Sequence, residues 1–232
     1  MVFPENAIGA RVFPHELAAS VTEYYRGKGV TVVPQRLVAG LERSGSQSLL
    51  RLTDLDHAEA ESIAVDHVVA GLGILPNVAL AEQAGLTADN GIVVDDLLIT
   101  SAPDVYAAGD VAAFFNPALG RRMRVEHEDN ANTMGRLAGR NMAGAAAPYD
   151  HLPFFYSDLF DLGYEAVGEL DARLQTFEDW KEPFREGVVY YLTDGRVRGA
   201  LLWNVWEKKD AARELIAKPG PFAERDLRGR LF

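Results

Sequence analysis

"TSAPDVYAAGDVA", residues 100–112, decides the fold. Val105-Tyr106-Ala107-Ala108 is an apolar run of mostly small residues, and it ends in Gly109-Asp110. That pattern predicts a buried strand over 105–110 that stops at a glycine and an acid. In an open α/β sheet, ligands gather at the carboxyl ends of strands. A carboxylate there accepts hydrogen bonds from ribose or polyol hydroxyls, and the glycine beside it permits close approach. On the dipeptide alone a simple turn is an equal reading, because Asp and Gly are both turn formers. The chain has no GxGxxG loop to supply the other half of a nucleotide site.

On either side of this stretch the pattern alternates between strands and helices. "GIVVDD" (91–96) reads as a strand, and "LPNVALAEQAG" (75–85) as a short helix stopped at Gly85. Upstream, Pro14 opens the helical pattern "HELAASVTEYYRGKG", followed by β-like runs at 30–34, 36–42, 47–54 and 62–73. The last of these contains "DHVVAGLG", apolar enough to predict a central strand. Downstream, "VEHEDNANTMGRLAGRNMAG" (125–144) is the longest helix signal. Ala131, Met134, Leu137 or Ala138, and Met142 make its apolar face. Glu126, Glu128 and Asp129 load its first turn and Arg136 and Arg140 its second half, as the helix dipole favours.

After residue 150 the character changes. "GVVYYLTDGRVRGALLWN" (187–204) is two alternating strands joined by Asp194-Gly195, a strong hairpin signal. "EKKDAARELIAK" (207–218) is a helix ended by Pro219-Gly220. The fold class is therefore α/β followed by an α+β C-terminal domain with an antiparallel sheet.

With 232 residues, 48% apolar and 25% charged, the composition is that of an ordinary globular chain. A formal charge of −11 argues against a nucleic-acid partner and against an anionic membrane surface. No apolar run reaches a membrane span. The absence of cysteine excludes a disulfide scaffold, a thiolate metal site and a CxxC redox pair within these residues. "MVFPENAIG" has neither the basic nor the apolar region of a signal peptide, and a cytoplasmic setting is expected.

The spacing T-x-x-x-x-V-Y-A-x-G-D, Thr100 and then Val105 to Asp110, resembles the flavin-binding motif of the FAD-dependent pyridine nucleotide reductases. In that family the aspartate bonds the ribitol of FAD. "GLGILPN" (71–77) is similar to the stretch where the chain leaves the NAD domain for the FAD domain, and 124–149 looks like the next helix of the family. "SDLFDLGYEAVG" (157–168), the 187–204 hairpin and "FPENAIGARVFPHEL" resemble the apoptosis-inducing factor branch. The resemblance implies incomplete FAD/NAD(P)-binding Rossmann-like domains: residues 1–75 from the NAD domain, 76–150 from the FAD domain, and 151–232 as an interface or dimerisation type of domain. Both GxGxxG loops would lie before residue 1, so the sequence reads as the C-terminal part of a longer flavoprotein. These residues alone are expected to be inactive and not to purify yellow.

Several residues become candidates on this basis. For FAD the resemblance implies Gly109, Asp110, Glu126, His127 and Tyr156. For NAD it implies Glu5, Arg11, Gly73 and Glu165. Glu5 ends the second strand of the NAD unit, where an acid accepts from the adenosine ribose and favours NAD over NADP, while Arg11 blunts that preference. Glu126 and His127 open the long helix, whose positive end suits the flavin edge that gathers charge on reduction. Tyr156 stands where the apoptosis-inducing factor branch often has tryptophan; a plain core aromatic is the rival reading. Glu165 matches that branch's nicotinamide-contacting glutamate, which ferredoxin reductases of aromatic-ring dioxygenase systems tend to lack. No catalytic residue is fixed, with His127 and Glu165 placed near the nicotinamide and flavin. A metal at Glu126 to Asp129 is not expected, since neighbouring helical residues diverge and no HExxH spacing exists. Trp203 and Trp206 read as core or interface residues, and His15, His57, His67 and His151 as isolated.

The function implied is an FAD oxidoreductase that accepts hydride from NADH and passes electrons to an unidentified acceptor. A homodimer is admitted. Two alternatives stand beside it: the reductase component of a ferredoxin or rubredoxin chain, and a redox-gated interaction protein with only slow NADH oxidation.

Overall fold

The computed structural model describes the backbone of residues 1–232 and the side chains of all but residues 59 and 60. The chain divides into two compact units: Met1–Gly73 with Asp171–Arg173, and Ile74–Leu170 with Leu174–Phe232.

In the first unit, β1 (Val2–Phe3) pairs in parallel with β2 (Val33–Pro34), and α1 (His15–Gly27) lies between them in sequence. Pro14 is the N-cap of α1, a place where its missing N–H costs nothing. Leu17, Ala18, Val21 and Thr22 form the buried stripe, and burying Leu17 and Val21 is worth about 1.5–3 kcal/mol each. Thr22 Oγ1 donates to the Ala18 carbonyl at 2.8 Å and accepts from the Ile8 N–H at 2.9 Å, which ties the 4–13 loop to the helix. A meander follows: β3 (Leu37–Ser44), β4 (Gln47–Thr53) and β5 (Glu59–Val65), all antiparallel.

The expected strand over 62–73 is shorter than its sequence suggests. It ends at Val65, and 66–73 runs on without a ladder, with Val69 97% and Leu72 90% exposed. Apolar composition prepares a segment for burial, but a strand also needs a neighbour to take its hydrogen bonds.

The second unit begins with α2 (Ala79–Gln83) and β6 (Ile92–Val93). The expectation for 105–110 is corrected here. Tyr106 makes only an isolated bridge to Ile99, Gly109–Val111 is a 3-10 turn, and the strand starts after the acid, as β7 (Ala112–Asn116). Gly109 takes φ 78°, a left-handed value that ends an extended run, so the motif feeds a strand rather than ending one. β7 pairs in parallel with β6 and antiparallel with β8 (Arg121–Met123).

Helix α3 (Glu128–Met142) buries Asn130, Met134, Ala138 and Asn141, a stripe displaced from the expected one; Met142 is 66% exposed. Met134 and Ala138 meet Val94, Leu98, Phe114 and Tyr149 in a small core. Glu126 and His127 precede the helix, with His127 as its N-cap.

The remainder is a five-stranded antiparallel sheet in the order β11-β12-β13-β10-β9. Its strands are β9 (Phe154–Leu159), β10 (Leu162–Gly168), β11 (Gln175–Glu182), β12 (Glu186–Thr193) and β13 (Arg196–Trp203). The β12–β13 turn is the expected one, with Asp194 at φ 51° and Gly195 at φ 72°. Helix α4 (Lys209–Ala217) sets Ala212, Leu215 and Ile216 against Val167, Val188 and Leu202. The short α5 (Glu224–Leu227) accepts a hydrogen bond from Tyr190 at the Leu227 carbonyl, 3.0 Å. Trp203 is buried and its indole N–H reaches the Phe184 carbonyl at 3.0 Å; Trp206 is half exposed in the loop before α4. Among the described residues no helix is long and apolar enough to cross a membrane.

Candidate functional site

Gly109 and Asp110 are held by the front of α3. The Gly109 N–H donates to Met134 Sδ at 3.2 Å, and the residue is buried. Asp110 is exposed, and its carboxylate has no hydrogen-bond or ion-pair partner among the described residues. Its backbone carbonyl is engaged, by Arg124 Nη1 at 2.9 Å. The same guanidinium donates from Nη2 to Glu126 Oε1 at 2.7 Å. Arg124, absent from the sequence candidates, is only 8% exposed in its side chain and so joins two of them.

Glu126, His127 and Tyr156 line one cavity of about 470 Å³, with Arg124, Leu152 and Pro153 completing much of its wall. That volume lies in the range of small-molecule and cofactor pockets. His127 caps α3 by accepting the Asp129 N–H at Nδ1, 3.2 Å, which in the neutral ring leaves the proton on Nε2. Its ring stands edge-on to Phe154 (5.6 Å) and Tyr156 (5.7 Å), which stack on each other at 6.3 Å. Tyr156 is half exposed, as a ring that offers a face to a planar ligand must be.

Glu165 lies opposite Tyr156 in the β9–β10 register. It is 9% exposed, Lys209 Nζ approaches its Oε1 at 3.7 Å, and its Oε2 is buried without a hydrogen-bond partner. A buried carboxylate oxygen with nothing to accept is an unmet demand for a donor, and Glu165 is not among the residues that line the cavity of Glu126 and His127.

His151 is not isolated. Its Nε2–H donates to Asp129 Oδ2 at 2.6 Å, and Arg213 Nη2 reaches the same oxygen at 3.0 Å. Arg213 Nη2 also lies 3.3 Å from His151 Nε2, but both are then donors, so the two bind Asp129 and not each other. Nearby, Tyr149 donates to buried Asn130 at 2.9 Å; burial, reinforced by the Asp129 charge, pushes its phenol well above the ordinary value.

The first unit gathers Glu5, Arg11 and Gly73 around a separate cavity of about 590 Å³. Glu5 and Arg11 form an ion pair there, with Arg11 largely exposed and Glu5 mostly covered. The arginine thus occupies the carboxylate that was expected to be open to a ribose.

The groups around the 470 Å³ cavity and at Asp110 suit a flavin. A free carboxylate beside a buried glycine suits a polyol, and an aromatic-walled cavity at a helix N-terminus suits a ring that gathers negative charge. The Glu5–Arg11 pair is only a partial fit to NAD.

Comparison with known proteins agrees with this picture. The profile of the pyridine nucleotide-disulphide oxidoreductase family matches residues 3–135. That of the C-terminal domain of mitochondrion-associated apoptosis-inducing factor matches 138–182 and 177–218. Apoptosis-inducing factor 1 of Dictyostelium discoideum is 36% identical over 94% of this chain and 43% of its own length. The ferredoxin–NAD(+) reductase component of the anthranilate 1,2-dioxygenase system of Burkholderia cepacia is 33% identical over 94% of this chain and 52% of its own. The crystal structure of a ferredoxin reductase from Rhodopseudomonas palustris superimposes with a TM-score of 0.76 at 30% identity, covering 88% of this chain and 49% of that one. The chain thus spans about half the length of the relatives it matches. With a profile match across more than half of its residues, the chain belongs to the pyridine nucleotide-disulphide oxidoreductase family.

Proposed function

We propose that this chain forms part of an FAD oxidoreductase of the apoptosis-inducing factor type that accepts hydride from NADH. The observation that carries the reading is the 470 Å³ cavity lined by Glu126, His127 and Tyr156 at the N-terminal end of α3. FAD, when bound, supplies the hydride-accepting ring. Asp110 accepts hydrogen bonds from the ribitol hydroxyls, and Arg124 keeps its loop and Glu126 in fixed relation. The head of α3 offers positive potential to charge gathered on the pyrimidine edge. Tyr156 gives the ring an apolar face and helps exclude water. Glu165 accepts from the nicotinamide carboxamide, and Glu5, Arg11 and Gly73 serve the NAD adenosine half. Residues 1–75, 76–150 and 151–232 are assigned to NAD, FAD and C-terminal domains.

The chain contains no GxGxxG loop, so these residues alone are expected to hold FAD weakly and turn over NADH negligibly. The test is FAD titration followed by flavin fluorescence, with NADH oxidation measured using ferricyanide as acceptor. Tight binding by wild type but equal binding by Asp110→Ala would overturn the assignment.

The second reading is a ferredoxin–NAD(+) reductase component, supported by the similarity to the Burkholderia cepacia protein of that name. Glu165 favours the first. Rapid NADH-dependent reduction of a ferredoxin by the flavin-loaded protein would reverse that order.

A further inference from the structure

Asp129 is tied to residues that line the cavity, or adjoin its lining, through both its backbone N–H and its carboxylate Oδ2. Its backbone N–H is held by His127 Nδ1 at 3.2 Å, and His127 lines the cavity. Its carboxylate collects three donors on Oδ2: His151 Nε2 at 2.6 Å, Arg213 Nη2 at 3.0 Å and the Phe154 N–H at 3.3 Å. Arg213 Nε in turn donates to the Leu152 carbonyl at 2.7 Å. Leu152 and Pro153 line the same cavity, and the segment 152–154 is pinned on both sides of its proline. The three side chains come from α3, from the 143–153 connection and from α4, and each is about four-fifths covered.

We propose that Asp129 is a positioning residue which, through His151 and Arg213, fixes the distance between His127 and the strand bearing Phe154 and Tyr156. The proposal rests on the flavin reading of the cavity. An ion pair that served stability alone needs only Asp129 and Arg213. Here the pair also recruits a histidine and two backbone groups, and every one of those contacts ends at a residue of the wall or its immediate neighbour. The Arg213 guanidinium offsets the Asp129 carboxylate at 3.0 Å and is shared with exposed Asp210, whose Oδ1 lies 2.8 Å from Nη1. His151 donates through Nε2 and holds its place in either protonation state.

The test compares His151→Gln, whose amide can still donate, with His151→Leu, which cannot, and with Asp129→Ala. The first measurement needs no flavin: long-range ¹H–¹⁵N spectra of the imidazoles report which nitrogen of His127 carries the proton. Wild type and His151→Gln are expected to show His127 protonated on Nε2 alone, while His151→Leu and Asp129→Ala show mixed tautomers with unchanged far-UV circular dichroism. The second measurement is FAD affinity by fluorescence quenching, expected to weaken about tenfold in the two disruptive variants and to stay within about twofold in His151→Gln, as for a site whose supporting shell has loosened. An unchanged His127 signal in both disruptive variants overturns the proposal, and so does a lost signal with undiminished FAD affinity. If wild type takes up too little FAD to titrate, as the lack of a GxGxxG loop in these residues allows, the spectra alone decide whether Asp129 positions His127. If Asp129→Ala does not fold, the His151 pair decides alone.

Discussion

Glu126 and Asp110 are joined by one guanidinium: Arg124 donates to Glu126 Oε1 at 2.7 Å and to the Asp110 carbonyl at 2.9 Å. Arg124 is covered, whereas Glu126 is 40% exposed, so water can replace the arginine at the carboxylate more readily than at the carbonyl. Arg124→Met is expected to lower stability by about 1–2 kcal/mol and Glu126→Gln by no more than about 0.5 kcal/mol. Urea denaturation checks both, and equal losses would contradict the asymmetry. Gly91 makes the room: a Cβ there would sit 2.6 Å from the Val111 carbonyl oxygen and 2.9 Å from Arg124 Cδ. Gly91→Ala should therefore cost about 2 kcal/mol or more and weaken FAD binding alongside it.

Gly109 and Asp110 separate stability from function. A Cβ on Gly109 would meet nothing closer than Ala131 Cβ at 3.6 Å, so Gly109→Ala strains only the backbone at φ 78°. That is worth about 1–2 kcal/mol. Asp110→Asn removes a charge from an exposed side chain without a partner, and stability should stay within about 0.5 kcal/mol of wild type. FAD affinity is expected to behave the other way round, falling more for Asp110→Asn than for Gly109→Ala. Thermal melts beside flavin titrations read the two effects, and a destabilised Asp110→Asn would return the aspartate to a turn role.

The parts of this architecture legible in the sequence are those whose signal is local. Asp194-Gly195 specifies its turn by two residues, and α3 by a continuous period. Where polar residues carry the burial, the pattern misleads. Asn130 and Asn141 occupy buried positions of α3 because Asn130 accepts from Tyr149 and Asn141 donates to the Leu97 and Ala147 carbonyls. The apolar face drawn through Met142 is consequently rotated away from the true one. At 105–108 the small residues look like a strand, yet the left-handed Gly109 postpones the strand to 112–116. The Asp129–His151–Arg213 cluster follows no spacing rule at all. Its members meet only after β9 and α4 have packed.

Three buried phenols should make the fold sensitive to alkali. Burial raises Tyr149, Tyr190 and Tyr191 above the ordinary tyrosine value, with Asp129, Asp179 and Glu178 respectively adding to the effect. Below about pH 10 the folded and unfolded chains both keep these protons, and the contribution to stability is complete. Above it the unfolded chain releases them and the folded chain does not, so each phenol removes about 1.4 kcal/mol per pH unit until its folded value is passed. Tyr190→Phe is expected to flatten the decline by one such share between about pH 10 and pH 12. Urea midpoints across that range measure it, and parallel slopes for variant and wild type would show that Tyr190 ionises freely in the folded state.

Glu165 is a stability cost within the fold. Its Oε2 is buried with no donor, and Lys209, 3.7 Å from Oε1, is too far for a hydrogen bond though close enough to balance the charge. Lys209 is itself partly exposed and lies over the Phe154 ring at 4.7 Å, so its charge is diluted by water. Glu165→Met should then stabilise the chain by about 1–2 kcal/mol, since an apolar side chain of similar size relieves the unmet acceptor. Lys209→Met should destabilise it by a similar amount, about 1–2 kcal/mol, by leaving the carboxylate without a cation. In the double variant the lysine penalty should vanish, because there is no longer a carboxylate to compensate. A lysine penalty that persists in the Glu165→Met background would assign it to the Phe154 contact instead. On the nicotinamide reading, the stabilised Glu165→Met protein is also the one whose NADH affinity weakens, so stability and binding move in opposite directions at one residue.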